Sequence, residues 1–119
     1  MKAAEPWVSS ARIGAVVVAC LVTSAGSAAA DGNVKAGKAL TQQCEACHGA
    51  DGLSKIPEAP NIAGQLEAYM IKQLTAFKSG ERQNDMMSLI VPKLSEQDIA
   101  DLAAYYSAVQ ITVGKLPGE

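Results

Sequence analysis

The sequence predicts an all-α fold, and three features of its residue pattern support that class. Apolar residues recur at helical spacing over residues 65–79 and again over residues 95–109. We find no convincing stretch with the alternation of apolar and polar residues that is typical of a half-buried strand. Glycines and prolines are frequent in residues 50–64, where periodicity is weak, and mark a loop. We therefore expect helices joined by long loops.

Length and composition fit one folded domain that does not bind nucleic acid. The chain has 119 residues, of which 49% are hydrophobic, and its formal net charge is −2. This composition is not typical of a disordered chain. Ten Lys and Arg against twelve Asp and Glu leave no basic surplus for a phosphate backbone. Because the chain has one Trp, three Tyr and one Phe, we expect another component to help fill the core.

Residues 1–30 have the features of a secretory signal peptide. Two basic residues accompany an uncharged apolar run over residues 13–22, and small residues lead up to Ala30, where cleavage is expected. The run is about half of the ~20 apolar residues that a spanning helix needs, so a retained membrane anchor is a weaker alternative. Lipidation at Cys20 is a second weaker alternative. Cleavage would leave residues 31–119 as a periplasmic domain with a net charge of −3.

The first two predicted helices flank a loop. Asn33 is a suitable N-cap for a helix over residues 34–44 that runs into a pair of cysteines. After the loop over residues 50–64, a second helix is expected over residues 65–79, since Gly80 stands where a C-cap glycine belongs. An exported domain with so few aromatic residues and such long loops is expected to wrap a large flat cofactor.

The last helix is expected to begin at Ser95. Residues 81–93 are predicted to form a second loop, because Pro92 disfavours helix at the residue before it. Ser95 and Asp98 have the spacing of a capping box, and the helix should end before Gly114.

The chemical centre of the sequence is the string Cys44-Glu45-Ala46-Cys47-His48. Cysteines three apart on a helical turn point to one side, so both sulfurs can form thioethers with the vinyl groups of a haem while the next residue ligates its iron. A zinc site needs four ligands, and a thioredoxin-like dithiol needs a βαβ context that is absent. A disulfide between these two cysteines would close a very small loop and add little stability. We therefore expect covalent haem c.

These motifs resemble those of the class I monohaem cytochromes c of bacteria, over nearly all of residues 31–119. The segments that carry the resemblance are CEACHG at 44–49, DG at 51–52, PNIAGQ at 60–65, Arg82, Met87 and LAAY at 102–105. The resemblance implies the cytochrome c fold, with three main helices and long loops wrapped around one haem.

The resemblance also implies roles for single residues. His48 would be the proximal iron ligand, and the Pro60 carbonyl would accept a hydrogen bond from its Nδ1–H. The chain has one His, so the sixth ligand would be a thioether sulfur. In the family this ligand lies about eight residues before the last helix cap, which gives Met87, with Met86 as the alternative. Met70 belongs to an apolar helical stripe and is expected in the core.

The resemblance further implies that Gly37 packs closely against Tyr105 of the last helix, which would explain a glycine inside a helix. A six-coordinate iron has no vacant site for substrate, so we expect a periplasmic one-electron carrier rather than an enzyme, with other redox proteins as partners. A cytochrome subunit of a larger redox enzyme would have the same iron chemistry. A gas- or peroxide-binding haem protein would need an open coordination site, which the Met86–Met87 pair disfavours.

Overall fold

The structure is a computed structural model that describes residues 31–118; the expected signal peptide, its cleavage site and Cys20 lie outside this range. Within residues 31–118 the chain forms helices and no strand, which confirms the all-α prediction. The elements are α1 (Val34–Leu40), α2 (Gln42–His48), α3 (Glu67–Ser79), α4 (Met87–Ile90), a 3-10 helix (Val91–Lys93) and α5 (Glu96–Ala108). No helix in this part of the chain is long and apolar enough to cross a membrane.

The first predicted helix is divided in two at Thr41. Its start is as expected, because the Asn33 side chain accepts a hydrogen bond from the Ala36 N–H at 2.9 Å. At Thr41 the backbone N–H bonds to the Lys38 carbonyl, three residues back, and the Thr41 hydroxyl donates to the same carbonyl at 3.0 Å. A threonine hydroxyl that bonds back to a helical carbonyl slightly destabilises the helix and often bends it. The prediction of one continuous helix was therefore wrong at this residue.

Helix α3 agrees with the sequence pattern. It starts at Glu67, two residues later than expected, and Gly80 follows its last residue with a φ of 79°, in the left-handed region. The Gly80 N–H donates to the Phe77 carbonyl at 3.3 Å, as a glycine C-cap does. The expected loop over residues 50–64 is present.

The predicted loop over residues 81–93 is partly helical, and Asn84 is the reason. Its side-chain oxygen accepts hydrogen bonds from the Met86 and Met87 N–H groups, at 3.0 and 3.1 Å, and so starts α4. Pro92 lies in the first turn of the 3-10 helix, where a missing N–H removes no helical bond. The loop prediction was therefore wrong over residues 87–93.

Helix α5 crosses α1 at close range. It begins with the predicted capping box of Ser95 and Asp98 and ends at Ala108, earlier than the Gly114 limit. A Cβ atom at Gly37 would lie 1.9 Å from the Asp101 carbonyl oxygen and 2.8 Å from the Tyr105 Cβ, so only glycine fits. This confirms the predicted contact between Gly37 and Tyr105.

The core lies between α3, the 3-10 helix and α5. Its buried members are Met70, Phe77, Val91, Leu94, Ile99, Leu102, Ala103 and Tyr106. The core placement of Met70 is thus confirmed, and this cluster forms part of the wall of a large cavity.

Candidate functional site

A cavity of about 640 Å³ separates α2 from α4. Helix α2 lines it with both cysteines and His48, the loop after α2 with Pro60, and α4 with Met87. Helices α3 and α5 close it with apolar side chains, among them Met70, Leu74, Phe77 and Leu102. A mostly apolar cavity with a few convergent polar groups is typical of a cofactor site, and its volume lies within the usual range.

The two cysteines reach this cavity from one turn of α2. Cys44 and Cys47 are both free thiols and half-buried, so the alternative of a disulfide between them is not what the structure shows. Burial raises the pKa of the Cys44 thiol. The two sulfurs line the same cavity, the arrangement that two thioether bonds need.

His48 is held in one orientation by the loop that follows α2. Its side chain is buried, and its Nδ1 donates a hydrogen bond to the Pro60 carbonyl oxygen at 2.8 Å. A carbonyl oxygen can only accept, so the proton resides on Nδ1 and the lone pair on Nε2 is free to bind a metal. The contact is the one that the resemblance implies.

The two candidate methionines differ in burial. Met87 packs against the core cluster, whereas Met86 is 55% exposed, although both line the cavity. The Asn84 side chain fixes the backbone at both methionines, because its oxygen accepts hydrogen bonds from their N–H groups.

Arg82 and Tyr69 are two further polar side chains at the cavity. Arg82 lies over the Phe77 ring, 4.6 Å from its centroid, and donates to the Gln73 side chain at 2.6 Å. Tyr69 is half-exposed and lines the cavity. Neither is held by a buried polar contact.

Sequence reasoning missed Tyr106, a residue of α5. The side chain is 1% exposed and lines the cavity. Its hydroxyl has no hydrogen-bond partner within residues 31–118. The signal that could have identified it is a tyrosine on a buried helical stripe, because a buried hydroxyl normally has a partner.

The donor set fits a haem better than it fits a metal ion alone. Among residues 31–118 no three His, Cys, Asp or Glu side chains are grouped so that they could hold an ion, which disfavours the zinc alternative there. The cavity instead offers two thiols, an oriented imidazole, a thioether and apolar walls. These are the groups that attach and ligate haem c. Fold and site together define a haem-binding protein of the c type.

The chain belongs to the cytochrome c family, whose family model matches residues 34–110. It is similar to cytochrome c4 of Pseudomonas aeruginosa, with 45% identity over 89 residues that cover 75% of this chain and 44% of that protein. It is also 40% identical to cytochrome c-554(548) of Halomonas halodenitrificans over 80 residues, 65% of this chain and 96% of that protein.

Solved structures agree with this assignment. The crystal structure of reduced recombinant cytochrome c4 from Pseudomonas stutzeri matches with a TM-score of 0.65 and 39% identity, over 70% of this chain and 48% of that one. The chain thus spans about half the length of the cytochrome c4 relatives it matches. The predicted cytochrome c fold is confirmed, and membership of the family implies haem c.

Proposed function

We propose that residues 31–119 hold one haem c, attached through Cys44 and Cys47 and ligated by His48 and Met87, and that the protein carries single electrons in the periplasm. The observation that carries this proposal is the meeting of α2 and α4 at one cavity. When bound, the haem iron supplies the one-electron redox chemistry.

The residues of the chain orient the ligands and exclude water. The bond from His48 Nδ1 to Pro60 fixes the imidazole and increases the basicity of Nε2. A thioether sulfur from Met87 raises the reduction potential relative to a second imidazole. If His48 and Met87 both ligated the iron, the chain would leave no ligand position for a substrate, so the proposal is a carrier and not an enzyme.

The proposal of one haem rests on the sequence. It contains one His, and therefore one C-x-x-C-H string, within its 119 residues. The match to 96% of cytochrome c-554(548) supports a domain of this size as a unit. A relative from Thiomonas intermedia, 42% identical over 69 residues, is named thiosulfate dehydrogenase electron acceptor. That name favours the related role of an electron acceptor for a dehydrogenase.

Redox proteins with a basic docking surface are the proposed partners. The charged side chains that line the cavity in residues 31–118, apart from the ligand histidine, are Glu58, Asp85 and Arg82, a net negative set. The acidic surplus of residues 31–119 has the same sign. Complementary charge steers the encounter of two proteins.

The test of haem attachment is retention of haem by the denatured chain. The exported wild-type protein should keep its haem through acid-acetone extraction and denaturing electrophoresis, with one iron per chain. Cys20→Ala is the matched control and should keep it as well, because that cysteine lies outside the domain. A wild-type protein that loses all its haem would contradict the assignment of both cysteines.

The sixth ligand is tested by a pair of neighbouring substitutions. Met87→Ala should lower the reduction potential and abolish the weak long-wavelength sulfur-to-iron band of the oxidised protein. Met86→Ala should change neither, because Met86 is mostly exposed. The reverse pattern would assign the ligand to Met86. Persistence of the band in both variants would refute methionine ligation from α4.

A further inference from the structure

Tyr106 carries a buried polar group that the site described above does not use. Its side chain is 1% exposed and lies on the α5 wall of the cavity. Within the described part of the chain, its hydroxyl is the buried side-chain oxygen for which no hydrogen-bond partner exists. Buried hydroxyls in native proteins nearly always have a partner, so the orphaned group indicates a contact that forms in the loaded protein.

The Cys44 sulfur lines the same cavity and is the candidate partner for this hydroxyl. Cys44 lines the same cavity and packs against the core cluster that contains Tyr106. Burial and the adjacent Cys44 sulfur raise the pKa of Tyr106, and the Tyr106 hydroxyl partly offsets the rise that burial causes in the pKa of Cys44. Both groups line one cavity, and with a free thiol they do not meet hydrogen-bond geometry.

Thioether formation changes what this sulfur can do. A thiol carries its own hydrogen, whereas a thioether sulfur carries none and can only accept. A tyrosine hydroxyl can donate or accept. Once Cys44 is a thioether, the hydroxyl has to be the donor, and the sulfur is the acceptor at hand.

We propose that Tyr106 is a positioning residue whose hydroxyl donates a hydrogen bond to the Cys44 sulfur when that sulfur is a haem thioether. The proposal rests on the proposed attachment of haem through Cys44. The bond holds the sulfur at the cavity wall and draws electron density from the linked ring, which favours the reduced state. It also satisfies the buried hydroxyl.

The test compares Tyr106→Phe with Tyr105→Phe in the haem-loaded protein. Both substitutions remove one hydroxyl and keep the ring, and the two rings lie edge to face with centroids 5.1 Å apart. Tyr106→Phe should shift the reduction potential to lower values and lower the guanidinium midpoint, with a folding constant about fivefold smaller. Tyr105→Phe should leave the potential unchanged.

The possible results separate the alternatives. A higher midpoint in Tyr106→Phe would show that the hydroxyl is unpartnered in the loaded protein, because removal of an unsatisfied group stabilises. An unchanged potential would also overturn the proposal, since a purely structural hydroxyl changes the midpoint alone.

A measurement on the wild-type protein applies if the variant does not fold. In the reduced state, proton NMR should show a slowly exchanging Tyr106 hydroxyl proton close to the thioether group of Cys44, and its absence there would refute the bond. Failure of the proposed haem attachment is distinguishable, because it appears as loss of haem from the denatured wild-type chain.

Discussion

The two faces of α5 differ in how their polar groups are satisfied. On the face towards α1, the Asn33 N–H donates to the Asp101 side chain at 2.7 Å and the Gln97 amide donates to the same oxygen at 2.8 Å. Gly37 brings the two helices together there. On the face towards the cavity, the Tyr106 hydroxyl has no partner within residues 31–118.

This difference separates the contacts that the chain completes by itself from those that need the haem. The α1–α5 contact consists of close backbone packing and satisfied hydrogen bonds. We therefore expect changes there to alter the free energy of unfolding but not the spectrum of the haem. The cavity face carries apolar side chains that a bound haem would contact. We therefore expect changes on the two faces to be visible in different measurements.

The largest effect is expected when the cavity loses its cofactor. The double variant Cys44→Ala, Cys47→Ala, exported without haem, should lose most of its far-UV helical signal and its cooperative melting, because a domain this small cannot bury enough surface alone. Circular dichroism of the variant and of the haem-loaded wild type measures the loss of helical signal and of cooperative melting. Native-like helix content with a cooperative transition would show that the α1–α5 face is sufficient for folding.

The next effect concerns the α1–α5 face. Gly37→Ala should lower the free energy of unfolding by about 2 kcal/mol, since the new methyl group meets the Asp101 backbone. The visible spectrum of the haem should remain that of the wild type. Denaturant titrations and spectra of the folded protein measure both quantities.

Gly114→Ala is the control for Gly37→Ala, because a Cβ atom there meets nothing within 4 Å. It should change stability by less than about 0.5 kcal/mol. A changed haem spectrum in Gly37→Ala would contradict the independence of the two faces.

A smaller effect is expected from the N-terminal capping box of α5, which lies outside the two faces compared above. Hydrogen bonds from the Ser95 N–H and then the Ser95 hydroxyl lower the pKa of Asp98. Its stabilisation is therefore complete above the ordinary carboxyl pKa and is lost as the pH falls below about 4. Asp98→Asn should reduce the loss of stability over that range, as measured by urea titrations at a series of pH values.

Two variants complete the test of the cap. Ser95→Ala should cost about 1 kcal/mol near neutral pH, because it removes the side-chain bond to the first turn. Glu96→Gln is the matched control, because it removes a carboxylate from the same turn and leaves the capping box of Ser95 and Asp98 intact. An identical acid dependence in Asp98→Asn and wild type would contradict the role of the cap.

The smallest expected effect lies outside both faces, at the rim of the cavity. Reduction by a small basic redox protein should slow as salt rises, because exposed charges are screened over about 8 Å at physiological ionic strength. Stopped-flow kinetics with a basic and an acidic donor measure the sign. Faster reaction with the acidic donor at low salt would show that lysines near the rim, and not Glu58 and Asp85, govern docking.

Local sequence was sufficient wherever a structural feature depends on neighbouring residues. The Asn33 cap, the Gly80 end of α3 and the capping box of α5 each involve groups within a few residues of one another. The break at Thr41 and the start of α4 at Asn84 are also local, but they depend on which of several possible side-chain bonds forms. The residue pattern does not show which of these bonds forms, so neither the break nor the start of α4 was predicted.

The sequence alone determined the class of fold, because helical periods are properties of neighbouring residues, and its C-x-x-C-H spacing predicted covalent haem c. Only the tertiary structure decided that Met87 packs against the core while Met86 is exposed, and that Tyr106 directs an unpartnered hydroxyl at the site. These facts depend on how α4 and α5 pack around the cavity. Such packing joins residues far apart in the chain, which no local pattern encodes.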